Sequence, residues 1–309
     1  MNYKNPVFLL IIVIAVGIAC GARDGLGDVN NDGEVNILDV ITVVNIILGI
    51  NDTPTEYQLW AADINSDGAV DILDTVIIVN VILGLVTIDE YPGRILFIGN
   101  SYTGYNGGIF THVSGLVDNA HPSWDMTING IVQGGATLES HWNNVQTRET
   151  ISNGNWDIVI LQEQSTRPID NPELMYQYGE LLGSLITEAG AETMLFMTWP
   201  REWMPETLDD IDDSYTYLGE LINAEVVPVG RAWELSNSND PELDLYAGDD
   251  SHPNLYGTYL SSCVFYHFIF DESTAGNLYT NNDNMTNVEQ LFLQEIADEI
   301  YLEYNPPGE

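Results

Sequence analysis

The 309-residue sequence predicts an α/β protein: a larger unit with a parallel sheet covered on both faces, preceded by a small all-α unit. Three observations carry this reading. A polar, glycine-containing loop followed by an apolar helical run occurs twice near the N-terminus, as GDVNNDGEVNILDVITVVNIILG over Gly27–Gly49 and as ADINSDGAVDILDTVIIVNVILG over Ala62–Gly84. From Gly93 onward the texture changes, and short β-branched runs alternate with longer helical stretches. Hydrophobic residues make up 45% of the chain, enough to build a core and too many for a disordered protein.

In chain order, the first element is an export signal. Lys4 precedes an apolar run from Val7 to Ala19, which has the length of a signal-peptide core and is short for a membrane span. The run ends in Gly17-Ile18-Ala19-Cys20-Gly21, which resembles a bacterial lipobox, although Gly17 stands where a larger aliphatic residue is more usual. That resemblance implies a lipoprotein signal over residues 1–20 and lipidation of Cys20, so that a lipid anchor would be the chain's only membrane contact. Ordinary cleavage after Ala19 is the alternative. Either way the chain is expected at the cell surface or outside the cell. With Cys20 lipidated, the other cysteine, Cys263, has no partner and reads as a small core residue of an apolar helix.

The repeats come next. A calcium ion takes six to eight hard oxygen ligands from a short loop that turns sharply. The first repeat offers Asp28, Asn30 and Asp32 at alternate positions and Gly33 for the turn. The Glu34 carbonyl, Asn36 at the ninth position and Asp39 at the twelfth complete the set. The second offers Asp63, Asn65, Asp67, Gly68, the Ala69 carbonyl, Asp71 and Asp74 at the same offsets. Two full ligand sets, each leading into a similar helix, predict two structural calcium ions. Neither unit can bury its apolar face alone, so the metal is expected to help fold the pair. The loops are EF-hand-like, with Asp rather than Glu in the last position and no clear helix before the first loop. Both features resemble type I dockerin repeats over roughly Asp24–Leu85. The resemblance implies a dockerin-like module over residues 24–87, a linker over 88–92 and a cohesin module as partner. Ile37-Leu38 and Ile72-Leu73 occupy positions where many dockerins carry polar residues, which predicts a drier interface or one that packs within the same protein.

Beyond Gly93 the expected strands are Arg94–Gly99, Met126–Ile131, Asp157–Leu161, Thr193–Thr198 and Glu225–Val229. The expected helices are Ile109–Asn119, Pro172–Ala189, Asp213–Ala224, Tyr256–Phe270 and Asn287–Glu303. The first strand runs through Gly99 and Asn100 to Ser101, at the carboxyl end of a strand, where open α/β sheets bind ligands. Backbone N–H groups at the following helix start would face any oxyanion formed there. A serine nucleophile needs a base and an orienting carboxylate. Asp249 and His252 lie three apart in Asp249-Asp250-Ser251-His252-Pro253, so the carboxylate can reach back to the imidazole.

Together these segments resemble the SGNH (GDSL-like) hydrolases over about Gly93–Tyr304. The resemblance implies a flavodoxin-like three-layer α/β/α domain over residues 93–305. It also implies Ser101 as nucleophile, His252 as base, Asp249 as its orienting acid, and an oxyanion hole from the Ser101 and Gly135 N–H groups. Gln164, in Leu161-Gln162-Glu163-Gln164-Ser165, stands in place of the family's oxyanion-binding Asn, and Asn100 stands where many members have Asp. No cofactor is expected for catalysis. The implied reaction is removal of small acyl groups, above all acetyl, from esters. Dockerin modules usually accompany polysaccharide-degrading enzymes, which makes acetylated carbohydrate the expected substrate. A deacetylase of the cell's own envelope and a glycan-binding protein that does not cleave are the alternatives. Trp142, Trp199 and Trp203, near the ends of strands, can stack on sugar rings or pack loops.

The charge balance excludes one class outright. Forty-seven acidic residues against seven basic ones give a net charge of −40, so a nucleic-acid partner is ruled out by repulsion. Acidity spread this widely is the composition of a protein kept soluble in salt, which screens its self-repulsion.

Overall fold

The computed structural model describes residues 25–51, 53–64, 69–85, 91–122, 124, 126–280 and 284–306. The export-signal reading, Cys20 included, lies outside the described residues, as do Asn65, Asp67 and most of the linker.

The small unit consists of helices α1 (Ile37–Ile47), α2 (Glu56–Ala62) and α3 (Ile72–Ile82). The residues proposed as metal ligands also start its helices. Asn36 caps α1 by accepting from Leu38 N, and Asp39 reaches back to the Asn36 N–H in a capping box. Asp71 and Asp74 do the same for α3. Helix α2 occupies the second half of the segment between the two repeats. The Thr55–Gln58 capping box starts it, and Ala61 and Ala62 are its buried contribution. Leu26, Val29, Val43, Ala61, Ala62, Ile64 and Ile78 form a core of their own. On the other side of α1 and α3 the apolar residues face out: Ile37 and Leu38 are 59% and 53% exposed, and Ile72 and Leu73 are 62% and 56% exposed. Packing against the rest of the chain is therefore not their role among the described residues.

The larger unit has five parallel strands: β1 (Arg94–Gly99), β2 (Thr127–Val132), β3 (Ile158–Leu161), β4 (Glu192–Phe196) and β5 (Glu225–Val227). Their order is β2-β1-β3-β4-β5, the doubly wound arrangement with a switch point between β1 and β3. The connecting helices are α4 (Ser101–Gly104), α5 (Ile109–Ala120), α6 (Leu138–Asn143), α7 (Val145–Asn153), α8 (Arg167–Asp170), α9 (Pro172–Glu188), α10 (Leu208–Ile222), α11 (Val229–Asn239), α12 (Leu255–Phe270) and α13 (Asn287–Tyr304).

Alternation along the strands builds two cores, because successive side chains leave opposite faces. Ile95, Phe97, Ile158, Ile160 and Phe196 pack with α5, α11, α12 and α13. Leu96, Ile98, Val159, Leu161 and Leu195 pack with α9 and α10. Helix α12 is buried nearly all round, and Cys263 sits within it as a fully buried free thiol. The last expected strand is two residues shorter than predicted, because Pro228 ends β5 and α11 starts directly behind it. No helix among the described residues is long and apolar enough to cross a membrane.

Candidate active site

At the end of β1 the chain turns sharply into α4. Asn100 is the N-cap, its Oδ1 accepting from Tyr102 N at 3.0 Å, and Ser101 is the first helical residue. Gly99 is required by crowding. A Cβ there would lie 2.4 Å from Thr103 Oγ1 and 2.5 Å from Gln162 Oε1. The Gln162 oxygen accepts from Asn100 N (2.8 Å) and from Thr103 Oγ1 (3.0 Å), which locks the turn against the end of β3. The Asn100 amide donates to Ala136 O at 3.0 Å, a bond that a carboxylate at this position could not make. Asn100 thus ties the Ser101 turn to the loop that carries Gly135. Buried His141 donates from Nε2 to Gly99 O at 2.9 Å, and burial lowers its pKa, in keeping with a neutral ring.

The structure brings Ser101, His252 and Asp249 together across 151 residues of chain. His252 Nε2 lies 2.8 Å from Ser101 Oγ, and His252 Nδ1 lies 2.5 Å from Asp249 Oδ2. Donation of Nδ1–H to the carboxylate leaves Nε2 as acceptor for the serine hydroxyl. Asp249 Oδ1 also accepts from the backbone of Ser251 and His252, and the hydrogen bond from the His252 side chain is the main cause holding this carboxyl below its usual range. The turn is fixed from several sides: Asp250 adopts a left-handed φ of 57°, Ala247 N donates to His252 O, and Trp199 Nε1 donates to Ser251 O. Tyr102 meets the imidazole edge-on and Tyr105 stacks on it at 4.8 Å between centroids.

Gly135 sits at φ +68° in the loop after β2, and its N–H makes no hydrogen bond among the described residues. The Ser101 N–H, at the start of α4, is likewise without an acceptor. These are the two donors expected for an oxyanion. Gln164 is placed differently from the expectation. Its Oε1 accepts from Thr166 N and Arg167 N, both at 3.0 Å, and its Nε2 donates to Ser165 Oγ at 3.3 Å. The side chain is thus committed to the turn leading into α8, with no hydrogen bond to Ser101 or Gly135 among the described residues. Its neighbours Gln162 and Glu163, to which the sequence pattern assigns no role, do the bracing. Glu163 Oε1 accepts from Leu138 N and Gln164 N, so it joins the Gly135 side of the site to the end of β3. The available signal was an abrupt polar triplet after the apolar run of β3.

A cavity of about 210 Å³ opens at Ser101, lined by Asn100, Gly104, Tyr105, Val132 and Gly134. It is smaller than the roughly 300–1,000 Å³ of sites that engulf drug-sized ligands. Of the three tryptophans offered as sugar platforms, Trp199 is fully buried, stacked between Tyr102 and Trp233 at 4.8 and 3.8 Å. Its role is core packing. Trp142 is partly buried under Arg148. Trp203 is 55% exposed.

In the first repeat loop the oxygens converge on the loop's own backbone. Asp28 accepts from Asp32 N and Gly33 N, and Asp39 accepts from Asn30 N and Asn36 N. Asp28 and Asp39 are 5% and 0% exposed, and no basic side chain pairs with them among the described residues. Buried, uncompensated carboxylates within an all-oxygen donor set fit a hard cation. Even so, no group of three or more acidic, histidine or cysteine side chains is arranged as a closed metal cluster among the described residues.

The comparisons with known proteins divide along the same line. The fold of the larger unit is that of a solved DUF4886 family protein from Bacteroides uniformis, with 15% identity, TM-score 0.54, and coverage of 70% of this chain and 96% of that one. A protein from Slackia heliotrinireducens assigned to the SGNH hydrolases aligns with 23% identity and TM-score 0.49 over 57% of this chain and 98% of its own. An acetyl xylan esterase from Geobacillus stearothermophilus aligns with 22% identity and TM-score 0.43 over 58% and 95%. No curated protein matches the chain. Residues 26–83 match the dockerin type I domain family, and the small helical unit is a type I dockerin domain.

Proposed function

We propose that this chain is an exported serine esterase of the SGNH type that removes small acyl groups, chiefly acetyl, from carbohydrate esters. The observation that supports it best is the unbroken line Asp249–His252–Ser101, with contacts of 2.5 and 2.8 Å, beside two backbone N–H groups that have no acceptor among the described residues. In this reading Ser101 Oγ attacks the ester carbonyl while His252 Nε2 takes its proton and Asp249 stabilises the resulting imidazolium. The N–H groups of Ser101 and Gly135 receive the developing oxyanion. His252 then protonates the leaving alcohol, and a water deprotonated by the same nitrogen releases the acid and restores the serine. Gln164 contributes to the oxyanion hole only if its side chain leaves the turn it now caps. The small cavity at Ser101 favours a short acyl group over a fatty one.

The division of the chain follows the sequence reading: a signal over residues 1–20 with Cys20 as lipid attachment, a dockerin module over 24–87, a linker over 88–92 and the hydrolase over 93–305. Dockerin domains bind calcium, and we assign one ion to each repeat. The first is held by Asp28, Asn30, Asp32, Glu34, Asn36 and Asp39, the second by Asp63, Asn65, Asp67, Ala69, Asp71 and Asp74. The exposed isoleucine and leucine pairs on α1 and α3 give a cohesin partner an apolar face.

The direct test is hydrolysis of a chromogenic acetate ester by the full chain beside Ser101→Ala. The expected result is turnover in the parent and a loss of at least a thousandfold in the variant. A folded parent with no more turnover than the variant would instead support a glycan-binding role.

A further inference from the structure

Among the described residues, one cation stands apart. Arg167 pairs with Glu139, and Arg231 pairs with Asp209, Asp212 and Glu234. Arg94 and Arg148 donate to the carbonyls of Gly154 and Trp142. Arg201 has neither kind of acceptor. Its Nη2 is 3.5 Å from Ser165 Oγ, its buried Nε has no partner, and its guanidinium lies 5.5 Å from the ring centre of Trp203. In a chain with 47 acidic and seven basic residues, a guanidinium left without a carboxylate is not explained by scarcity of partners.

The position of this cation is fixed with respect to the Ser101 site. Glu202 N donates to Asp250 O at 3.0 Å, which ties the 201–204 turn to the turn carrying Asp249 and His252. Met204 N donates to Arg201 O at 2.8 Å and closes the 201–204 turn itself. The Arg201 charge reaches the Tyr102 hydroxyl, which also bonds Ser251 Oγ at 2.7 Å. None of Ser165, Arg201 and Trp203 lines the small cavity at Ser101. An exposed indole face suits a sugar ring, and a planar guanidinium fork suits the two oxygens of a carboxylate.

We propose that Arg201 and Trp203 form a recognition subsite for the alcohol portion of the ester, and that the substrate is an acylated saccharide carrying a carboxylate, a uronate. The assignment rests on the esterase reading above. It gives the one guanidinium among the described residues that has neither a carboxylate nor a carbonyl acceptor a partner of matching geometry, against the acidic surface of the rest of the molecule.

The test compares kcat/KM of the full chain on a monoacetylated methyl galactosiduronate and on the neutral methyl galactoside acetylated at the same position. At about 0.15 M salt the Debye length is about 8 Å, so distant carboxylates are screened while a direct contact is not. The expected result is a preference of roughly tenfold or more for the uronate, carried mainly by KM. In Arg201→Gln the ratio between the two substrates collapses towards one, and Arg201→Lys keeps part of it. Equal rates on the two substrates, or an Arg201→Gln variant that slows both by the same factor, would overturn the subsite while leaving the esterase intact. Absence of hydrolysis of either sugar ester and of a simple acetate ester by the folded chain would sink the esterase reading itself, and the subsite with it.

Discussion

Glu163 has one carboxylate oxygen on two backbone donors and the other buried with no partner among the described residues. Burial raises its pKa to about 7, against the opposing pull of the Gln164 and Leu138 N–H groups and of Arg167. The folded state therefore holds this proton more tightly than the unfolded chain does. Its contribution to stability is complete below the ordinary glutamate range and is lost as pH rises through about 7. Glu163→Gln keeps the accepting oxygen and cannot ionise. The melting temperature of this variant, relative to the parent, is expected to climb between pH 5 and pH 8, by an amount on the order of 1–3 kcal/mol in stability. A difference that stays flat across that range would mean that Glu163 is already ionised in the fold.

At the scale of elements, the site depends on one tight junction, where β1 passes into α4 beneath the end of β3. The junction is held by Gln162, Asn100 and Thr103, and it has no room for a methyl group at Gly99. Gly99→Ala must push the Gln162 side chain away from Asn100 N. The expected outcome is a loss of about 1–3 kcal/mol in denaturant unfolding, together with reduced ester hydrolysis. A variant that loses neither would show that the junction yields easily. The stacked rings of Tyr102, Trp199 and Trp233 continue the same logic, running from the helix that begins at Ser101 into the core beneath α11.

Over the whole molecule, two units use different means of stability. The larger one buries two full cores against a sheet. The dockerin domain buries seven apolar residues as its core and leaves the buried Asp28 and Asp39 without a basic partner among the described residues, so metal is expected to supply what packing does not. Removing calcium with EGTA is expected to abolish a low-temperature unfolding transition assigned to residues 26–83, read by calorimetry. Ester hydrolysis is expected to persist. Hydrolysis lost together with that transition would mean that the two units depend on each other.

The sequence alone determined the five strands and the helices α5, α9, α10, α12 and α13 of the larger unit, though not α4, α6, α7, α8 and α11, together with the two repeats and the serine, histidine and aspartate proposed for catalysis. Periodicity and short spacings are local properties, and each of these features is written in a few neighbouring residues. The reach of Asp249 to His252 is of this kind. What lies between distant segments was decided only by the tertiary structure. Packing buried Trp199 while leaving Trp203 at the surface, although both follow the same strand. The competition for backbone donors turned Gln164 onto its own turn and gave the bracing to Gln162 and Glu163. Arg201 shows the difference most plainly: its isolation depends on which of 47 acidic side chains the fold brings near, and no spacing along the chain encodes that.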